Sequence, residues 1–66
     1  MSHTILRLPE VIKRTGLSRS SIYLRVANKE FPAPLSLGGR AVGWLEQNVD
    51  EWIVARIEES KVTDLG

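Results

Sequence analysis

Apolar positions follow two different rhythms along this chain, and the changes between them mark out its elements. Leu8, Val11 and Ile12 recur at helical spacing, which predicts a first helix from about Pro9 to Arg14 or Thr15. Pro9 suits a first helical position, where its missing N–H is not needed. Glu10 early and Lys13 and Arg14 late complement the helix dipole. Gly16 is the expected stop, and Leu17 fills the space between helices. A second helix starts at Ser18, whose hydroxyl suits an N-cap, and runs to about Asn28. Ile22 and Val26 share its inner side, flanked by Tyr23 and the stem of Arg19. Ser20, Ser21, Leu24, Arg25 and Asn28 are expected on the outer side.

Phe31-Pro32-Ala33-Pro34 then breaks the helical rhythm, because proline lacks a donor and constrains the residue before it. Leu35-Ser36-Leu37 alternates as a half-buried strand does. Gly38-Gly39-Arg40 reads as a turn, and Ala41 to Leu45 as the return strand. A lone hairpin is marginal, so this one must pack on the helices, with Phe31 and Trp44 as anchors. Val49, Trp52, Ile53 and Ile57 form one stripe of a third helix, from Gln47 or Asn48 to Glu59 or Lys61. Asp50 and Glu51 fall early in it, where the dipole favours negative charge. Residues 1–6 read as a tail or short edge segment, and Val62 to Gly66 as a frayed end.

The expected fold is mainly α with a small β-hairpin: a winged helix-turn-helix. It forms a single domain over residues 1–66 with an ordered core of about 5–60. Two short helices joined across Gly16 are the helix-turn-helix itself, whose second helix offers its face to a DNA major groove. The glycine-tipped hairpin resembles the wing that lies beside such a helix.

Composition narrows the choice of function. A chain of 66 residues buries only about 60% of its unfolded surface and depends on good packing. It has no cysteine, hence no disulfide and no thiolate metal site, and its one histidine, His3, lies near a terminus. No catalytic cluster, metal or cofactor is expected, and the chain does not read as an enzyme. No apolar run reaches the length of a membrane span, and the N-terminus lacks a signal-peptide core. The expected location is the cytoplasm, with no membrane partner.

Overall charge is near neutral, at +1, but it is unevenly distributed. Residues 1–45 hold seven basic side chains against two acidic ones, a net +5; residues 46–66 hold two against six, a net −4. Such a split suggests a polyanion partner for the basic part, with the acidic part turned away from phosphate.

Double-stranded DNA is the partner this pattern favours. Arg25 is the first candidate for a base edge or phosphate, since its fork matches guanine O6 and N7. Ser20 and Ser21 can donate to bases or phosphate, and Arg19 can meet phosphate at the helix entry. Tyr23 can pack its ring and present its hydroxyl. Asn28 can read adenine or close the helix, and Leu24 is a lone apolar group on a polar side. Arg40, at the wing tip, has no core to serve. Lys13, Arg14 and Lys29 are weaker backbone contacts, and Gly38 and Gly39 let the chain approach the duplex. Trp44 and Trp52 are read as core.

Five blocks carry a family resemblance: Arg7-Leu8-x-Glu10-Val11; Thr15-Gly16-Leu17-Ser18-Arg19-Ser20-Ser21-Ile22-Tyr23; Phe31-Pro32-x-Pro34; Leu37-Gly38-Gly39-Arg40-Ala41-Val42-Gly43-Trp44; and Val49-Asp50-x-Trp52-Ile53. In this order and spacing the chain resembles the AlpA family of small phage and prophage regulators, which is similar to excisionases and to the MerR-type winged domain. Many members carry a second basic residue after Tyr23, where this chain has Leu24. The resemblance implies a winged fold, DNA binding, and control of integrase or excision genes. The alternatives are an excisionase-type directionality factor that bends DNA, and a protein-interaction module that does not bind DNA. Self-association on repeated sites, an integrase or RNA polymerase are the further partners implied.

Overall fold

The computed structural model describes residues 3–63. Its elements run β1 (Ile5–Leu6), α1 (Leu8–Thr15), α2 (Arg19–Ala27), β2 (Leu35–Gly38), β3 (Ala41–Leu45) and α3 (Glu46–Thr63). The helix-turn-helix, the hairpin and the final helix follow in the expected order, which makes the fold a winged helix-turn-helix.

Helix boundaries follow local chemistry. Pro9 stands in the first turn of α1, and Gly16 closes that helix at φ 75°, donating its N–H to the Ile12 carbonyl at 2.8 Å. Thr15 ties the turn together: its hydroxyl donates to the Val11 carbonyl at 2.8 Å and accepts the Leu17 N–H at 3.2 Å. Ser18 caps α2, its Oγ accepting the Ser21 N–H at 3.2 Å. The far end of α2 closes through two backbone bonds, Lys29 N–H to the Val26 carbonyl at 3.1 Å and Glu30 N–H to the Arg25 carbonyl at 2.7 Å. That pairing is a Schellman motif, and its left-handed position falls on Lys29 at φ 62° rather than on a glycine.

Of the two readings of the N-terminal residues, the short edge segment holds at residues 5 and 6. Ile5 pairs with Leu45 and Leu6 with Trp44, so β1 is an edge strand of a three-stranded antiparallel sheet in the order β1-β3-β2. Gly39 and Arg40 make the β2–β3 turn between paired Gly38 and Ala41, and a register shift after Ser36 leaves Leu37 as an extra residue. The sheet turns Leu6, Val42 and Trp44 toward the helices. The core is Leu6, Val11, Ile22, Phe31, Trp44 and Val49, with Leu8, Ile12, Leu17, Val26, Val42, Trp52 and Ile53 packed around it.

Three expectations need correction. Leu35 and Leu37 are 40% and 43% exposed, so β2 is not half-buried. Leu35 pairs with Gly43, on the face of β3 that points away from Trp44. Ile57 does not belong to the packed stripe of α3: it is 49% exposed, because α3 extends past the sheet that covers its first turns. Helix α3 also continues to Thr63, so the expected frayed end does not begin at Val62; residues 64–66 lie outside the described residues.

Gly43 is buried and set by space rather than by backbone angle. A Cβ there would lie 2.5 Å from Ile5 Cγ2, 3.1 Å from the Leu6 carbonyl and 3.2 Å from Leu37 Cδ1. At Gly38 and Gly39 the reason is the opposite: a Cβ would meet nothing within 4 Å, but φ is 105° and 56°.

Candidate nucleic-acid interface

The junction behind the second helix is built from aromatic rings. Phe31 lies between two tryptophans, edge-on to Trp44 with centroids 6.4 Å apart and to Trp52 at 4.9 Å. Each indole N–H donates to a carbonyl beside Phe31: Trp44 to Pro32 at 2.8 Å, and Trp52 to Glu30 at 2.7 Å. The extended Phe31-Pro32 segment is thereby fastened to both β3 and α3. Tyr23 reaches the same cluster, with its ring 6.3 Å from that of Trp44 and inclined at 57°. Helix α2 is thus docked on the return strand of the wing. Sequence reading identified the anchors, but not that the indole donors lock the connection; two tryptophans beside a Phe-Pro segment were the available signal.

On this frame α2 leaves Arg19, Ser20 and Asn28 exposed, with Leu24 63% and Tyr23 38% exposed. Ser21 is half-buried beside the cap. Asn28 is the C-cap, its N–H donating to the Leu24 carbonyl at 3.1 Å. Arg40 is exposed at the hairpin turn, and Lys13 and Lys29 are exposed as well.

Two arginines stand differently from the expectation. Arg25 is half-buried rather than fully outward, its Nη1 lies 3.7 Å from Glu30 Oε1, and its Nε is enclosed without a hydrogen-bond partner among the described residues. The reason is helical geometry: three residues after buried Ile22, Arg25 falls only about 60° from the core direction. Arg14 is drawn toward α3, with Nε 3.3 Å from Glu10 and Nη1 2.9 Å from Glu46 and 3.8 Å from Asp50. The hydrogen bonds it donates to Glu10 and Glu46 raise its pKa above the ordinary guanidinium value. Its charge is therefore largely answered within the protein, and the acidic start of α3 touches the basic end of α1. Glu30, which sequence reading passed over, is brought beside Arg25 by the Schellman closure.

Among the described residues no cluster of histidine and carboxylate side chains suits a metal ion, and no helix is long and apolar enough to cross a membrane.

The fold, with its exposed second helix beside a short hairpin, is that of a winged helix-turn-helix protein. Residues 4–57 match the model of the family described as prophage CP4-57 regulatory protein (AlpA), and the chain belongs to that family. It is similar to uncharacterized protein ORF88 of Enterobacteria phage P4, with 48% identity over 56 residues, covering 85% of this chain but 64% of that protein. It is also similar to the DNA-binding transcriptional activator AlpA of Escherichia coli (strain K12), with 43% identity over 58 residues, covering 79% of this chain and 83% of that protein.

Proposed function

We propose that this protein is a sequence-specific DNA-binding transcriptional regulator of phage or prophage type that acts in the cytoplasm on integrase or excision genes. The observation that carries this reading is the uncovered outer side of α2, where Arg19, Ser20, Leu24 and Asn28 are all exposed next to a short wing tipped by Arg40. The similarity to a relative named as a DNA-binding transcriptional activator supports it. In this mechanism α2 enters the major groove. Arg25 and Asn28 face base edges, Arg19, Ser20, Ser21 and Tyr23 grip phosphate near the helix entry, and Leu24 meets a thymine methyl or sugar. Arg40 and the Gly38-Gly39 backbone hold the flanking strand. Lys13 and Lys29 add attraction that does not depend on sequence, and Arg14 adds little because its carboxylate partners already answer it.

A single module of this kind covers roughly 600–1,000 Å² of duplex-facing surface. That area calls for neighbouring copies on repeated sites, or for an integrase or RNA polymerase bound alongside. The test is fluorescence anisotropy with genomic fragments from the element that encodes the protein, titrated across salt. Affinity should fall steeply with salt, and one fragment should win at every concentration. Equal, salt-insensitive binding to all fragments, or none at low salt, would overturn the reading.

A further inference from the structure

Glu30 is held more firmly than an exposed glutamate at a helix end usually is. Its N–H donates to the Arg25 carbonyl at 2.7 Å, and its own carbonyl accepts the Trp52 indole N–H at 2.7 Å. With its backbone fixed on both sides, its carboxylate stands 3.7 Å from Arg25 Nη1, close enough to attract but too far for a hydrogen bond. The Nε of the same guanidinium is already shut away from water and has no hydrogen-bond partner among the described residues. Arg25 is thus a cation with one side desolvated and the other facing a partner that serves it poorly.

Such a contact, more than a third exposed on the arginine side, is weak and is exchanged readily for a better acceptor. A guanine edge offers O6 and N7 together, and the fork geometry of arginine fits both at once. A lone phosphate oxygen offers less, and it must approach against the negative charge of Glu30.

We propose that Glu30 is a specificity-determining residue: it restrains Arg25 in the free protein and on non-cognate DNA, and yields it only to a bidentate base edge. The proposal rests on the reading that α2 faces the duplex. Glu30 acts through Arg25 and is a positioning residue, not itself a DNA contact. On random sequence Arg25 stays with Glu30 and displaces no counterion; on the cognate site it changes partner. The carboxylate therefore lowers background affinity more than it lowers target affinity.

A double-mutant cycle tests this, using the whole chain and a short mixed-sequence duplex. Glu30→Gln should tighten binding by about 3–10-fold and steepen the log–log salt slope by about one, because one more cation becomes available to phosphate. In an Arg25→Gln background the same change should alter affinity by less than about twofold. Glu30→Asp, which keeps the charge but shortens the reach to Arg25, should fall between wild type and Glu30→Gln on affinity and slope; a value at wild type would point to bulk charge and count against the proposal. In the free protein, Glu30→Gln should shift the Arg25 Nε–H resonance. Equal tightening in both backgrounds would mean bulk charge alone and would overturn the proposal while leaving the DNA reading in place. Weaker binding by Glu30→Gln, or an Arg25 resonance indifferent to it, would overturn it as well. A wild-type protein that leaves the duplex unbound at low salt would bring down the DNA reading first, and this proposal with it.

Discussion

The aromatic junction and the outer side of α2 are neighbours in the fold but are built on opposite terms. At the junction each ring has ring partners and each indole N–H has an acceptor: Trp44 is fully buried and Phe31 is 5% exposed. On the outer side Leu24 lies open, and at its margin half-buried Arg25 is only partly satisfied by a carboxylate at 3.7 Å. Tyr23 belongs to both, touching Trp44 while staying 38% exposed. The contrast teaches how so short a chain divides its residues. Those that fix where α2 sits gain little from solvent, and those left on its outer side contribute little to holding it there.

Substitutions can break that contrast or sharpen it. Trp44→Ala should act most strongly, costing about 3–5 kcal/mol by emptying the core and stranding the Pro32 carbonyl; chemical denaturation checks it, and a loss under 1 kcal/mol would show that the junction is not the keystone. Gly43→Ala comes next, at about 1–3 kcal/mol, since its methyl meets Ile5 and the Leu6 backbone. Its thermal midpoint should fall without any change at the α2 surface. Ser18→Ala should cost about 1 kcal/mol through loss of the Ser21 cap, with amide exchange rising in the first turn of α2. Arg40→Ala should leave stability within about 0.5 kcal/mol of wild type. The same variant should weaken duplex binding on every sequence and make the salt slope shallower by about one. If Arg40→Ala unfolded the chain while binding per folded molecule stayed constant, the two regions would not be separable.

Much of this was legible in the sequence. Pro9, Gly16 and Ser18 are local signals, because first-turn proline, left-handed closure and capping hydroxyl act within a few residues, and the structure follows them. The hairpin and its glycine tip were legible for the same reason. What escaped depends on partners distant in the chain. The pairing of β1 with β3 involves only two residues of each strand, too few for alternation to register. Capture of Arg14 by Glu46 spans 32 positions, and a periodicity argument placed Arg25 outward although Ile22, three residues earlier, pulls it inward. The end of α2 near Asn28 was legible, but the way it closes was not, since the left-handed residue there is the charged Lys29 rather than glycine or asparagine. Arg19, Ser20, Ser21, Tyr23, Leu24 and Arg25 were placed on the second helix and Arg40 on the hairpin turn, as the structure has them, whereas Gly38 belongs to β2 rather than to the turn; how free each side chain is was not readable without the fold.

The two indoles also make this protein its own optical gauge. Trp44 is sealed inside, while Trp52 is half-open with the Arg56 guanidinium 5.4 Å from its ring centre. A small neutral quencher should therefore reach one emitter and spare the other, resolving native fluorescence into two populations. Because the sealed emitter lies beside Tyr23, light absorbed by that phenol is passed to it across 6.3 Å.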